Sequence, residues 1–155
     1  MSRSGRQRWQ ATGAAYLEAR TQVRVRFQEV DALRVVWHGH YLTYLEEGRN
    51  AFGRQYGFEY TDILEAGYVA PLVHIELDYF APARHDDLLE IRTRLHPADG
   101  ARISFRYRIE NAAGRKLATG GSEQVFTDLD GTLVLTRPAF VDDFLKRNAS
   151  SLILP

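Results

Sequence analysis

The feature that most restricts this chain is one apolar helical stripe set among segments that alternate like strands. Tyr41, Leu45, Gly48, Phe52 and Tyr56 recur at steps of four, three, four and four, which places them on one face of one helix. Glu46, Glu47, Arg49 and Arg54 fall mostly elsewhere, and Gly57 is a natural stop. Gly48 sits inside the stripe, where helix propensity disfavours it by about 1 kcal/mol against Ala. Close approach to another backbone is the expected reason, so the helix should lie tightly on a sheet.

The flanking segments supply that sheet. Val23, Val25 and Phe27 alternate with Arg24, Arg26 and Gln28 from Thr21 onward, the pattern of a half-buried strand. After the long helix and a short one at about Tyr60 to Ala66, Val69, Pro71, Val73, Ile75, Leu77 and Tyr79 face one way and His74, Glu76 and Asp78 the other. Pro71 marks this as an edge strand. Three more strands follow: Leu88 to Leu95, Arg102 to Glu110, and Lys116 to Asp128, with turn chemistry at Pro97 to Gly100 and Asn111 to Gly114. A last helix is expected from about Pro138 to Asn148. The result is an α+β fold, a five-stranded antiparallel sheet curled around a long central helix. Residues 1–20 read as an N-terminal extension, 21–150 as the domain and 151–155 as a C-terminal tail. An apolar edge strand invites pairing, so a homodimer joined edge to edge is expected, with a second pairing giving a homotetramer.

A length of 155 residues suits one domain with one real core. Twenty basic against twenty acidic residues leave no global field for a phosphate backbone, so no nucleic-acid partner is expected. The absence of cysteine excludes disulfides, thiolate zinc ligands and a cysteine nucleophile. Neither a signal-peptide-like apolar stretch nor a run of eighteen apolar residues occurs, so no membrane association and a cytoplasmic location are expected.

Chemistry concentrates between Phe27 and Tyr41, where a carboxylate, Asp31, and two imidazoles, His38 and His40, sit in apolar surroundings ahead of the helix. From spacing alone two readings stand level. Asp31 bonds loop amides in an Asx turn and the histidines cap the helix, or Asp31 serves a substrate or its attacking water. Asp31 lies too far ahead of His40 to cap that helix. Elsewhere, Asp128-Leu129-Asp130-Gly131 resembles the start of a calcium loop, but its twelfth position is Ala139, so a turn is expected and no metal is assigned. His74, Glu76, Asp78 and His85 read as a solvated face.

Asp31, the Val35-Val36-Trp37-His38 run, Tyr41 and the Glu46-to-Arg49 acidic-x-x-Arg pattern together resemble the signature of hotdog-fold acyl-CoA thioesterases, in the branch of hydroxybenzoyl-coenzyme A and Tol–Pal-associated thioesterases. The resemblance extends to Ala81-Pro82-Ala83-Arg84, Ala118-Thr119-Gly120 and Val125-Phe126-Thr127-Asp128. Phe27 departs from it, since many relatives carry a tyrosine there, and Leu33 and Arg34 stand where they have glycines.

The resemblance implies a hotdog fold and hydrolysis of an acyl-coenzyme A or acyl-carrier-protein thioester without cofactor. Asp31 would be general base or nucleophile, both open, and His38 would orient water or protonate the leaving thiolate. A backbone N–H near His38 or Gly39, at the positive end of the helix dipole, would hold the thioester oxygen. Trp37, Gly39 and Tyr41 are the expected substrate contacts. Arg84 and Arg102, on a sheet face expected to be basic, are candidates for the coenzyme A phosphates. The competing expectations are a hotdog dehydratase or hydratase using Glu46 or Glu47, and a noncatalytic acyl-thioester-binding dimer.

Overall fold

The computed structural model describes residues 14–154. Five antiparallel strands form the main sheet in the order β1-β4-β5-β6-β3: β1 (Leu17–Arg24), β3 (Leu72–Tyr79), β4 (Leu88–Leu95), β5 (Arg102–Glu110) and β6 (Lys116–Val125). A short pair, β2 (Tyr68–Val69) and β7 (Thr127–Asp128), lies beside it. The helices are α1 (His40–Tyr56), α2 (Tyr60–Glu65) and α3 (Ala139–Arg147). α1 packs on the sheet through Tyr41, Tyr44, Leu45 and Phe52, all buried against the inward rows Leu89, Ile91 and Leu95 of β4 and Ile103, Phe105, Tyr107 and Ile109 of β5. The expected sheet around a central helix is thus present, with the expected strand at its edge.

Gly48 makes the packing possible. A Cβ there would stand 2.4 Å from Thr93 Oγ1 and 2.6 Å from Ile91 Cγ2, so the close approach is to side chains of β4 rather than to backbone. α1 ends as its sequence predicts, on Gly57 in the left-handed region at φ 73°, with its N–H bonded to the Gly53 carbonyl.

Several expectations are corrected. β1 begins at Leu17, not Thr21, and Leu17 is fully buried; Tyr16 and Ile153 exchange backbone hydrogen bonds of 3.0 and 2.8 Å, which tie residues 16–20 and 151–153 to each other and to the sheet. Trp9, read as part of the extension, lies outside the described residues. Phe27 is not inward: the strand stops at Arg24 and the Phe27–Glu29 turn leaves Phe27 79% exposed. The strand expected from Lys116 to Asp128 breaks at Phe126, which turns into the core. Arg49 is buried, its guanidinium 3.3 Å from the Tyr60 ring centroid. The Asp128 segment forms the expected turn, with Asp128 Oδ1 accepting from the Asp130 and Thr132 amides at 2.9 Å.

The outer face of the sheet is not simply basic. Its arginines alternate with carboxylates in pairs: Arg94–Glu18 at 2.7 Å, Arg20–Glu18 at 2.9 Å, Arg92–Glu90 at 3.1 Å, Arg102–Glu123 at 3.0 Å, and Arg108–Glu110. Burial pushes the Glu18 carboxyl up, but the hydrogen bonds and charges of Arg94 and Arg20 outweigh it and hold Glu18 below its usual range. A depressed carboxylate adds stability that is present above its unfolded pKa and lost as pH falls through the folded one. Glu18→Gln should therefore lower stability at neutral pH, by about 1 kcal/mol for charge-assisted bonds at a partly exposed site. The gap to wild type should close in acid below the ordinary carboxylate range, as followed by urea melts across pH.

Candidate active site

The segment from Arg26 to His40 folds as a small hairpin that delivers the chain to the start of α1. Val30 and Val36 form an antiparallel bridge, the Asp31 N–H donates to the Val35 carbonyl at 3.0 Å, and the Arg34 N–H donates to the Asp31 carbonyl at 2.9 Å. Arg34 takes φ 62°, a left-handed value that explains why glycine is at home in such a tip. Val36 is buried and its N–H donates to Ala83 O at 2.9 Å, which fastens the hairpin to the segment after β3.

Asp31 stands half-buried at the tip of this hairpin. Its Oδ1 accepts from the Leu33 N–H at 2.8 Å, the Asx turn expected as one of two readings. Oδ2 makes no hydrogen bond among the described residues, so the turn fixes the carboxylate and leaves one oxygen for another partner.

Past the hairpin, Gly39 caps α1 from φ −70° and no side chain bonds that end of the helix. Neither the His38 nor the Gly39 N–H finds an acceptor among the described residues. Gly39 is required by Trp37: a Cβ at position 39 would sit 2.1 Å from the indole, which also lies 4.9 Å from the His38 ring and 5.5 Å from the His40 ring, centroid to centroid. Trp37 is 46% exposed and His38 is exposed as well. The His38 carbonyl accepts from the Tyr79 hydroxyl at 2.8 Å, tying the helix start to the end of β3.

Beside this junction an open cleft of about 310 Å³ is lined by Val35, Val36, His38, Tyr41, Tyr79 and Phe80, with Ala81 and Pro82 closing it. Tyr41 is buried at its wall. Its hydroxyl accepts from the Ala83 N–H at 3.2 Å, its ring meets Tyr79 edge-on at 5.1 Å, and burial raises its phenol above the ordinary value. The structure thus brings together His38, Gly39, Trp37 and Tyr41, with Asp31 on the adjoining hairpin but not on the cleft wall. Arg84 follows the cleft-lining Ala81 and Pro82 and is exposed. Arg102 is elsewhere: it opens β5 beside the far end of β4, paired with Glu123, so the two arginines do not form one phosphate site.

Sequence reasoning missed Glu29 and the bond that ties it to Tyr44. Glu29 is 2% exposed; its Oε1 accepts from the Arg26 N–H at 2.7 Å and from the Tyr44 hydroxyl at 3.1 Å. The signal available was a Glu three residues after Arg26 at a strand exit, the spacing of a capping box.

The sequence profile of the thioesterase-like superfamily matches residues 25–148. The chain belongs to this superfamily. It is 28% identical over 125 residues to the putative acyl-CoA thioesterase YneP of Bacillus subtilis, covering 80% of this chain and 91% of that protein. It is also 33% identical over 93 residues to the acyl-CoA thioester hydrolase YbgC of Escherichia coli, covering 60% of this chain and 69% of the relative. In three dimensions it superposes on a DHNA-CoA thioesterase from Staphylococcus aureus with TM-score 0.74 at 24% identity, over 85% of this chain and 91% of the other, a likeness of fold. The fold of this thioesterase-superfamily chain is the hotdog fold.

Gly39→Ala should drive the Trp37 indole off the helix start, because the added carbon overlaps the ring far inside van der Waals contact. In a Trp9→Phe background, Trp37 emission should shift red and acrylamide quenching should rise; unchanged emission would show that the ring accommodates the methyl in place.

Proposed function

We propose that the chain hydrolyses an acyl-coenzyme A thioester, releasing a carboxylic acid and a free thiol, with Asp31 as the essential carboxylate. The observation that carries this reading is the pairing, across one short hairpin, of a fixed carboxylate having an unengaged oxygen with two unengaged backbone donors at the start of a 17-residue helix. Those donors, the N–H groups of His38 and Gly39, suit the oxyanion that forms when the thioester carbonyl becomes tetrahedral, and the helix dipole adds to them.

On the general-base route Asp31 takes a proton from water as its oxygen bonds to the carbonyl carbon. The C–S bond then breaks and the thiolate is protonated, with His38 as donor or water-orienting group. On the nucleophilic route an Asp31 oxygen bonds to the carbonyl carbon, the C–S bond breaks and the thiolate leaves and is protonated, and water then cleaves the mixed anhydride to release the carboxylic acid and regenerate Asp31. Both routes require the ionised carboxylate. Trp37, Gly39 and Tyr41 shape the acyl site, and the aromatic wall of the cleft suits an aryl or a fatty chain alike. Arg84, beside that wall, is the better placed of the two arginines for nucleotide phosphates; Arg102 is committed to Glu123. An acyl-carrier-protein thioester shares the reacting group and belongs to the same reading, as does a cytoplasmic setting.

Asp31→Asn tests the assignment, because it keeps size and the Leu33 contact while removing charge. Thiol release should fall by about 10²–10⁴-fold or more with the fold and ligand binding intact, and His38→Ala should cost less. Turnover within a few-fold of wild type would overturn Asp31 as the essential carboxylate, and absence of thiol release from the wild-type protein itself would favour the binding-dimer reading. A change in enoyl absorbance without thiol release would favour the hydratase.

The same reading includes a homodimer through β3. This strand has a free edge in the five-stranded sheet, and its Leu72, Val73, Ile75 and Tyr79 are 50%, 54%, 37% and 48% exposed. Edge pairing with a second β3 would satisfy the backbone and cover those side chains, and a further pairing of dimers gives a tetramer. Light scattering should report at least a dimer, and Ile75→Lys should dissociate it; a fully active monomer would contradict the pairing.

A further inference from the structure

Taking an ionised carboxylate out of water is costly unless its lone pairs are met. Glu29 is met from three directions: the Arg26 N–H at the exit of β1, the Tyr44 hydroxyl on the second turn of α1, and the Arg26 guanidinium at 3.4 Å from Oε2. Its own carbonyl accepts from the Trp37 N–H at 2.9 Å, so the residue also closes the stem of the hairpin that carries Asp31.

Two links therefore join the hairpin to the helix whose first amides are unengaged. One is the chain itself through Trp37 to His40; the other is Glu29 to Tyr44. Without Glu29–Tyr44, the hairpin is held by the chain and by the Val36–Ala83 bond near its tip, and its stem is left without a side-chain tie to the helix. Burial, and after it the charge of Glu29, pushes the Tyr44 phenol well above its ordinary value, so Tyr44 remains a donor throughout neutral and mildly alkaline pH.

We propose that Glu29 is a positioning residue for hydrolysis: by tying the hairpin stem to Tyr44 it sets the distance between the Asp31 carboxylate and the amides of His38 and Gly39. The inference rests on the reading of Asp31 given above. It concerns reaction geometry more than substrate affinity, because the Tyr41 and Tyr79 side of the cleft wall is held by other bonds and Val36, on the hairpin side, by its bond to Ala83.

The test compares Tyr44→Phe, Glu29→Gln and Glu29→Ala, each alone and in an Asp31→Asn background, by steady-state and single-turnover thiol release from one acyl-CoA. In the parent protein, Tyr44→Phe and Glu29→Ala should lower kcat by roughly 10- to 100-fold, as a misplacement near 1 Å does, with KM within about threefold. Glu29→Gln, whose amide oxygen still accepts from Arg26 and Tyr44, should recover most of that loss. In the Asp31→Asn background the same changes should cost less than about threefold, since the group they position has lost its chemistry. Equal losses in both backgrounds, or wild-type kcat in all three single variants, would overturn the role of Glu29. Near-wild-type turnover of Asp31→Asn alone would instead overturn the assignment of Asp31, and the positioning role with it. If Glu29→Ala does not fold, Tyr44→Phe, which removes one hydroxyl, carries the comparison.

Discussion

The depth at which α1 lies on the sheet governs the rest of this molecule. Two glycines set it from opposite sides: Gly48 on the helix, closed by Thr93 and Ile91, and Gly120 on β6, where a Cβ would stand 3.1 Å from the Leu45 methyl and 2.9 Å from the Glu76 carbonyl. A methyl at either position would lift the helix or push a strand aside. Because α1 begins at His40, its height and tilt fix where the first-turn amides stand, and therefore where the cleft opens. Helix propensity lost at Gly48 is offset by packing that extends from Tyr41 to Phe52.

How much of this was legible follows from what periodicity measures. The stripe from Tyr41 to Tyr56, the edge position of the strand after Pro71 and the inward row of β5 all stood in the sequence, because burial there follows simple geometric periods. β1 was read four residues short: in Leu17-Glu18-Ala19-Arg20 the inward pair includes a small residue, and the outward pair is a salt-bridged Glu and Arg, so the alternation has little contrast. Phe27 misled for the opposite reason. It continues a hydrophobic alternation that the backbone abandons at Arg24, and it ends exposed against the His85 ring.

The candidate site was legible as a segment and not as a mechanism of support. Asp31, Trp37, His38, Gly39 and Tyr41 were named from the chain, yet the tie of Glu29 to Tyr44 was not, because it is a hydrogen bond between residues fifteen apart, which no local pattern encodes. Arg49 escaped in the same way: its burial depends on stacking against Tyr60, from a different helix. The two readings of Asp31 also proved compatible. An Asx turn uses one carboxylate oxygen, and a carboxylate held at one oxygen is better ordered for work at the other.

Charge is distributed to the same end. On the outer sheet face, cation and anion alternate across strands at salt-bridge distance, so that face presents little lasting field to an anion. Arg34 at the hairpin tip and Arg84 after the cleft wall are exposed and lack ion-pair partners among the described residues. Near the cleft an approaching anion therefore meets cations that no neighbouring carboxylate compensates, in contrast to the paired arginines of the outer sheet face.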